Sequence, residues 1–257
     1  MLRDVEQLNF IDRSFTDSPA TNVGISHALL EAVASGDATG PIFRLHVPES
    51  VMAFGMIDRT QPGYGAATRI ATAHGFAPVE RLAGGRAAVF HQQTLAFSWV
   101  AHDPNPKSGI NERFVMIASL INRVLRDLGL DSRIGQVAGE YCPGEFSINI
   151  GGLVKVMGAG QRLVKNAAHV GGVIVVDGAS SIRDVLIPVY RALQIDWDPR
   201  TTGALADRAP GLDTGRVAAA VKTELSRRFE LVDMAVPDHI IDRGAELALG
   251  HVPAVAL

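Results

Sequence analysis

The chain has 257 residues, of which 47% are hydrophobic, and its 24 basic and 27 acidic side chains leave a formal net charge of -3. This length is enough for one large domain or two small ones with a buried core. The mixed charge indicates neither a nucleic-acid surface nor a polybasic membrane contact. The single cysteine, Cys142, excludes an internal disulfide and is typical of a protein kept in a reducing cytosol.

Targeting and membrane signals are also missing from the sequence pattern. Residues 1–6 read MLRDVE and lack the basic start and apolar run of a secretory signal peptide. No apolar run approaches the roughly 20 residues that span a bilayer. We therefore expect a soluble, cytoplasmic globular protein.

The first half of the chain is predicted to mix helices and strands. Apolar residues at three- and four-residue steps indicate helices that end at glycine, and these cover residues 25–33, 66–74 and 111–128. Thr21 or Asn22 is expected to cap the first helix. Apolar runs bounded by turn formers indicate strands over 42–47, over 51–55, and on either side of Gly84-Gly85 within 77–101.

The second half begins with short β-like runs and ends with helices. The runs FSINI, VKVMG, QRLV and HVGGVIVV are punctuated by glycine, which is typical of strands and turns. One helix is expected to be capped by Ser180 or Ser181 and kinked at Pro188, and another is expected over 215–231. The polar segment 198–214 is the best candidate for a long connection. Because no regular βαβ alternation is present, the order indicates an α+β fold with a mixed β-sheet flanked by helices.

Gly84 and Gly85 form the first candidate ligand-binding feature. Paired glycines between strands let a ligand approach the backbone, because no Cβ blocks it. Arg81 and Arg86 flank the pair and can meet a carboxylate or phosphate through bidentate hydrogen bonds. The alternative is an ordinary hairpin turn with two solvated arginines, which a short glycine motif by itself favours.

Cys142 is the second candidate feature, and it stands in the segment GEYCPGEFSI. The following Pro143-Gly144 predicts a turn that presents the thiol rather than a core strand that buries it. A free thiol has a pKa near 8.5, so a reactive one needs help from a lysine, an arginine or backbone amides. The alternative, an inert buried thiol, is the commoner state of a cysteine taken by itself.

Lys155 and His169 are polar residues within apolar runs. On strand alternation Lys155 shares a face with Leu153 and Met157, where it can donate to an acyl carbonyl or acidify a neighbouring thiol. The alternative is an edge-strand lysine that opposes aggregation. A lone histidine such as His169 at the start of an apolar strand is more often structural than catalytic. The histidines and the cysteine show no close ligand spacing, so no metal site is predicted.

Three ordered segments resemble the catalytic domain of the biotin/lipoate A/B protein ligase (cofactor transferase) family. They are RLAGGRAAVFHQQTLAFSW at 81–99, GGLVKVMGAGQR at 151–162 and AAHVGGVIVV at 167–176. The upstream segments NVGISHALLEAV and FRLHVPESVMAFG also fit, so the resemblance covers roughly residues 20–195. It implies a biotin/lipoate-protein-ligase-like catalytic domain over 1–200. Residues 201–257 are then expected to be a helical extension packed on it, not a separate ligase accessory domain.

The resemblance also implies roles for individual residues. Cys142 would be the nucleophile, and Lys155 would stabilise the oxyanion and help to deprotonate the incoming amine. The glycine turn, flanked by Val89 and Leu82, would line an apolar slot for the acyl chain. The residues expected to bind the substrate are Arg81, Gly84, Gly85, Arg86, Val89, His91, Gly158, Gln161 and His169.

Within the family, two features resemble the cysteine-dependent octanoyltransferases and lipoyl amidotransferases. Arg86 stands where ATP-dependent lipoate ligases usually have a third glycine, and GEYCPGEFSIN replaces their Asn-Asp segment. The resemblance implies transfer of an octanoyl or lipoyl group, through a cysteine thioester, to a lysine of a lipoyl-domain protein. The donor would be acyl carrier protein or a glycine cleavage H-like protein, and the transfer would require no cofactor.

Two alternatives to this function remain open from the sequence. An ATP-dependent lipoate–protein ligase would use ATP to form an acyl-adenylate, and Cys142 would then be incidental. A non-catalytic paralogue would bind acylated carrier proteins without turnover.

Overall fold

The computed structural model describes residues 7–254. Its strands are β1 (Gln7–Ile11), β2 (Ile42–His46), β3 (Val51–Phe54), β4 (Ala77–Glu80), β5 (Ala88–Phe90), β6 (Thr94–His102), β7 (Ser132–Ile134), β8 (Ile148–Ile150), β9 (Val154–Val164), β10 (Ala167–Val175) and β11 (Glu230–Asp233). Its α-helices are α1 (Thr21–Ser35), α2 (Tyr64–Ala73), α3 (Ile110–Asp127), α4 (Ala179–Ala192), α5 (Thr214–Ser226) and α6 (Asp238–Leu249), with a short 3-10 helix at Pro199–Thr201.

The strands form two sheets. The larger is mixed and has the order β11-β1-β2-β6-β10-β9-β8-β7. Strand β1 runs parallel to both β11 and β2, and the other neighbours are antiparallel. The smaller sheet has the order β4-β3-β5, and the connection between β4 and β5 carries the Gly84-Gly85 pair. The predicted α+β fold with a mixed sheet flanked by helices is therefore confirmed.

Helices cover both faces of the large sheet and one side of the small sheet. The apolar faces of α3 and α5 pack on one face of the large sheet, as at Ile121 and Val221. Helices α1 and α6 lie on the opposite face, next to Ile42 and Val100. Helices α2 and α4 pack together against the small sheet. The small sheet and α4 also pack against the end of β10 and against the loop around residue 141. The candidate cysteine therefore lies where the two sheets meet.

The C-terminal helix α6 packs closely on α1. Gly24 and Gly244 lie at the crossing, where a Cβ on Gly24 would overlap the carbonyl oxygen of Gly244. Glycine allows this close approach because it has no side chain to hold the two helices apart. Within residues 7–254, no helix combines the length and apolar content needed to cross a bilayer.

Two strands at the far edge of the large sheet differ from the prediction. The predicted helix over 215–231 is wrong in its last turn, because α5 ends at Ser226 and residues 230–233 form β11 beside β1. Strand β1 itself was not predicted. Both strands are short and neighbour each other in space but not in sequence, so local patterning does not reveal their pairing.

The predicted helix starts are also wrong in detail. Helix α4 begins after Gly178, which adopts a left-handed conformation, and neither Ser180 nor Ser181 caps it. Helix α1 follows Ala20 without a side-chain cap. The two runs VKVMG and QRLV form the single strand β9. Local sequence signals do not determine where these elements begin and end. Packing against neighbouring elements does.

Candidate active site

The glycine pair lies in the 81–87 loop between β4 and β5 and packs against the candidate cysteine. Gly85 has a φ of +116°, and a Cβ built on it would lie 2.9 Å from Cys142 Sγ. Its carbonyl oxygen is so close to Gly55 that a Cβ there would overlap it. On the other side, the Gly84 N–H donates to the carbonyl of Gln161 at 3.1 Å. Glycine is needed here both for the backbone conformation and for the approach of the sulfur.

Cys142 is half-buried in the loop before β8, and its backbone has a φ of +43°. Its N–H donates to the hydroxyl of Tyr190 at 3.1 Å, and that hydroxyl donates to the carbonyl of Ala87 at 2.9 Å. Tyr190 is fully buried on α4. Its hydroxyl therefore ties residues 137–147, which we call the cysteine loop, to residues 81–87, which we call the glycine loop. Cys142 lies in a loop and not in a core strand, as expected, but the turn falls on Glu145 and Phe146, directly after Pro143-Gly144.

Two donors face the sulfur of Cys142. The backbone N–H of Arg86 donates to Sγ at 3.2 Å, and Nη1 of Arg81 lies 3.8 Å from it. The Arg86 side chain is directed to the buried carboxylate of Asp58, at 3.4 Å, so it is the Arg86 backbone and not its guanidinium that serves the sulfur. Both donors therefore lie where they can stabilise negative charge at the sulfur or at a carbonyl that it attacks.

Lys155 lies beneath the cysteine loop and is only 2% exposed. Its ammonium donates to Glu140 Oε1 at 2.9 Å, to the Tyr141 carbonyl at 3.0 Å and to the Cys142 carbonyl at 2.7 Å. An ammonium has three N–H groups, and each has a protein acceptor here.

The predicted strand alternation around this lysine is wrong. A register shift in the β8–β9 pairing places Val156 and Met157 together in the core, whereas Lys155 faces the cysteine loop and Leu153 is 63% exposed. An inserted residue of this kind breaks the period of two and re-aims a side chain. The alternative of an edge-strand lysine is also excluded, because β9 lies between β8 and β10.

Two cavities adjoin each other beside the 81–87 loop. The larger, about 470 Å³, is lined by Cys142, Lys155 and the glycine pair. The smaller, about 100 Å³, is mostly apolar and is lined by residues that include Leu82 and Phe97. Arg81, Phe90 and Gly172 line both cavities. Cys142 thus lines a wide cavity that adjoins a narrow apolar one.

His169 lines the smaller cavity, and among the residues that the structure describes neither of its ring nitrogens has a hydrogen-bond partner. Burial, together with the charges of Arg81 and His27, lowers the pKa of His169 to about 3. The imidazole is therefore neutral at physiological pH. A neutral, unpaired ring in a cavity can offer one donor and one acceptor to a bound group.

The other predicted binding residues divide into two groups. Gly158 and Gln161 line the larger cavity, where the Gln161 side chain is held by Arg113 at 3.0 Å. Val89 is 1% exposed in the core between the small sheet and α4, and His91 lies in the β5–β6 turn against Gly178. Neither of these two residues lines either cavity.

Two residues of the site were not predicted from the sequence. Glu140 lies two positions before the cysteine, and its side chain is fully buried beside Lys155. Its position in GEYCPG could have identified it, because a carboxylate close to a candidate nucleophile is expected to influence the charge or the position of that nucleophile. Tyr190 lies 48 residues from Cys142 in an ordinary amphipathic helix, and no local pattern marks it. Within residues 7–254, no group of three or more acidic, histidine or cysteine side chains is placed to hold a metal ion.

A family model described as the lipoyl protein ligase A/B catalytic domain matches residues 18–194, well over half of the chain. The chain therefore belongs to the lipoyl protein ligase A/B family. Its curated relatives include proteins named octanoyl-GcvH:protein N-octanoyltransferase. The one from Geobacillus kaustophilus is 28% identical over 63% of this chain and 57% of its own length. The one from Exiguobacterium sibiricum is 30% identical over 67% of this chain and 63% of its own length. The chain thus spans less than two thirds of the length of these relatives.

Solved structures share the same fold at lower identity. A bi-partite lipoate protein ligase from Thermoplasma acidophilum superposes with a TM-score of 0.73 and 18% identity, covering 95% of this chain and 92% of that one. Lipoate-protein ligase A bound with ATP gives a TM-score of 0.72 and 17% identity, covering 95% of this chain and 94% of that one. At this identity the likeness establishes the fold, which agrees with the resemblance noted in the sequence.

Proposed function

We propose that this protein transfers an octanoyl or lipoyl group from a carrier protein to a lysine of a lipoyl-domain protein, through a thioester on Cys142. The observation that carries the proposal is the placement of Cys142 Sγ at the larger cavity, facing the Arg86 N–H at 3.2 Å. The relatives named octanoyl-GcvH:protein N-octanoyltransferase support the acyl group and the class of carrier.

The reaction divides into two acyl transfers. In the first, the Cys142 thiolate attacks the acyl carbonyl, and the bond from that carbonyl to the donor's amine or thiol breaks. The departing group takes up the proton that Cys142 gave, so that the products are the free donor and the acyl-enzyme thioester. In the second, the acceptor lysine attacks the thioester carbonyl, loses a proton and forms an amide. Cys142 is regenerated as it takes up that proton.

The charges around the sulfur suggest how each step is stabilised. Negative charge moves from sulfur to the carbonyl oxygen as the bond forms, and Arg81 and the Arg86 N–H are the donors nearest to the sulfur. The ammonium of Lys155 is taken up by Glu140 and two carbonyls, so in this geometry it has no free N–H for an oxyanion. We therefore assign to Lys155 the role of holding the cysteine loop. Its ammonium can contact the oxyanion or the incoming amine only after these hydrogen bonds rearrange.

The smaller cavity is the proposed place for the acyl chain. It adjoins the larger cavity at Arg81 and Gly172, and it contains Leu82 and Phe97. Burial of an alkyl chain contributes about 0.8 kcal/mol for each CH₂ removed from water, so an eight-carbon chain gains several kcal/mol there. Val89 lies outside this cavity, and the slot is therefore assigned to Leu82 and Phe97.

The carrier proteins follow from the same proposal. A glycine cleavage H-like protein is the preferred donor, acyl carrier protein is the second, and the acceptor is a lipoyl-domain protein. The route as written exchanges one acyl bond for another, so it consumes no nucleotide. A free thiol as nucleophile also suits a reducing compartment such as the cytoplasm.

The test is to incubate the protein with an octanoylated donor carrier, without ATP, and to record its intact mass. We expect a single octanoyl adduct that hydroxylamine removes and that the Cys142→Ala variant does not form. Addition of an apo lipoyl domain is then expected to discharge the adduct and to place octanoyl on the acceptor.

The alternatives give different results in the same experiment. If no donor acylates the enzyme, and Cys142→Ala still ligates free lipoate once ATP is supplied, the protein is an ATP-dependent ligase. If it binds the acylated carrier with neither adduct nor ligation, it is a non-catalytic paralogue. The ATP-bound lipoate-protein ligase A of the same fold makes the first alternative the one to include as a control arm.

A further inference from the structure

The buried carboxylate of Glu140 accepts hydrogen bonds from four donors around the cysteine loop. Oε1 accepts from Ser147 Oγ at 2.6 Å, from the Gly144 N–H at 3.2 Å and from Lys155 Nζ at 2.9 Å. Oε2 accepts from the Val137 N–H at 2.9 Å. The side chain is fully buried, so none of these bonds is shared with solvent. One carboxylate thus ties residues at both ends of the 137–147 loop to strand β9.

The ion pair between Glu140 and Lys155 is closed to water on both sides, since their side chains are 0% and 2% exposed. A charge buried in this way is tolerated only when its partner is present, and removing one partner leaves the other uncompensated. The same ammonium also donates to the carbonyls of Tyr141 and Cys142. Glu140 therefore determines where the lysine charge lies, and the lysine in turn determines where the Cys142 carbonyl lies.

The backbone of Cys142 needs such a restraint. Its φ of +43° is unusual for a residue with a side chain, and an unrestrained loop would leave it. The hydrogen bond of 2.7 Å from Lys155 to the Cys142 carbonyl opposes that change. In the restrained conformation Sγ meets the Arg86 N–H, which is the contact on which the proposed reactivity of the thiol depends.

We infer that Glu140 is a positioning residue for Cys142, acting through Lys155. It does not touch the reacting atoms. It fixes the Lys155 ammonium on the cysteine loop, so that the thiol is held against the Arg86 N–H. The inference deepens the proposed function and rests on it only for the acyl-transfer readout.

The experiment compares Glu140→Gln, Lys155→Met and the double variant. The first readout is the rate of Cys142 alkylation by iodoacetamide as a function of pH, which depends on the thiol and not on any acyl substrate. The second is the rate of octanoyl adduct formation from a donor carrier. Glu224→Gln is the matched control, because Glu224, like Glu140, is a buried carboxylate paired with basic side chains, here arginines, but it lies on α5 and lines neither cavity.

We expect Glu140→Gln to slow alkylation at pH 7 by about tenfold and to move the midpoint of its pH profile upward, because the thiolate loses its aligned donor. Lys155→Met is expected to give a loss of similar size. The double variant is expected to lie within about twofold of Lys155→Met, since two residues that act as one unit are not additive. Glu224→Gln is expected to lower the melting temperature and to leave the alkylation profile unchanged.

Three results would overturn the inference. A Glu140→Gln variant that alkylates as fast as wild type, or faster with a lower midpoint, would mean that the carboxylate opposes the thiolate rather than aligning it. An equally large further loss in the Lys155→Met background would mean that Glu140 acts through Ser147 or Gly144 instead. A matching loss in Glu224→Gln would mean that general destabilisation explains the effect. If the alkylation results hold but no variant and no wild type takes up octanoyl, the positioning role stands and the proposed function fails.

Discussion

The contact between Gly85 and Cys142 allows a sharp test of how the thiol is held. A Cβ on Gly85 would lie 2.9 Å from Cys142 Sγ and 3.0 Å from Arg81 Nη1, which is well inside the optimal separation of about 3.5–4.0 Å for non-bonded heavy atoms. Gly85→Ala therefore has to displace the sulfur by roughly 1 Å, and the 3.2 Å bond from the Arg86 N–H is lost. A misplacement of about 1 Å at a reacting atom costs on the order of 100-fold in rate.

The substitution also strains the backbone, and that effect needs its own control. Gly85 has a φ of +116°, and a residue with a Cβ in the left-handed region costs about 1–2 kcal/mol. Gly129, which follows α3, has a φ of +85°, and no atom of the described part of the chain lies within 4 Å of a Cβ added there. Gly129→Ala thus introduces comparable strain without the steric contact, and the two variants separate the two effects.

The assay is iodoacetamide alkylation of Cys142 followed by intact mass, with the melting temperature measured in parallel. We expect Gly85→Ala to form the octanoyl thioester about 100-fold more slowly than wild type. Alkylation is also expected to be slower, because the Arg86 N–H no longer donates to the sulfur. Gly129→Ala is expected to lose about 1–2 kcal/mol of stability and to alkylate at the wild-type rate. A folded Gly85→Ala protein with wild-type alkylation would refute the reasoning, because the sulfur would then not be held against Gly85.

Two further variants test the supports of the site. Tyr190→Phe removes the hydroxyl that joins the Cys142 N–H to the Ala87 carbonyl. Leaving these two groups unpaired is expected to lower the free energy of unfolding in denaturant by about 1–3 kcal/mol and to slow alkylation of Cys142. A variant with the wild-type stability and alkylation rate would contradict this role. The pKa of His169 is about 3 in the folded protein and about 6.5 in the unfolded chain. Between pH 3 and 6.5 the imidazole is therefore protonated in the unfolded chain but neutral in the folded protein, and the free energy of unfolding rises with pH. The stabilisation is complete above about pH 6.5 and is lost by about 1.4 kcal/mol per unit as pH falls toward 3. His169→Gln is expected to reduce the loss of stability between pH 7.5 and 5.5 by about 1 kcal/mol, and an unaltered difference would assign the acid sensitivity to other histidines.

The sequence predicted much of the fold because its signals are local. The helix over 111–128 was predicted almost to the residue of α3, since its apolar side chains follow one face and Gly129 ends it. The runs that became β6 and β10 are long and apolar and needed no partner to be recognised as strands. The first two residues of the edge strand β11 were predicted as the end of a helix, because the partner strand β1 lies more than 200 residues away in the chain.

The candidate site was predicted in part for the same reason. From the sequence we predicted that the glycine pair, Cys142 and Lys155 belong to one site, because each stands in a segment that resembles the family, and all of them line the larger cavity. Only the tertiary structure decided that Sγ faces a backbone N–H and that the lysine is held by Glu140. It also decided that His91 lies in a turn away from both cavities. Motifs record residue types in order, whereas hydrogen bonds depend on distances of about 3 Å that arise only when separate loops pack together.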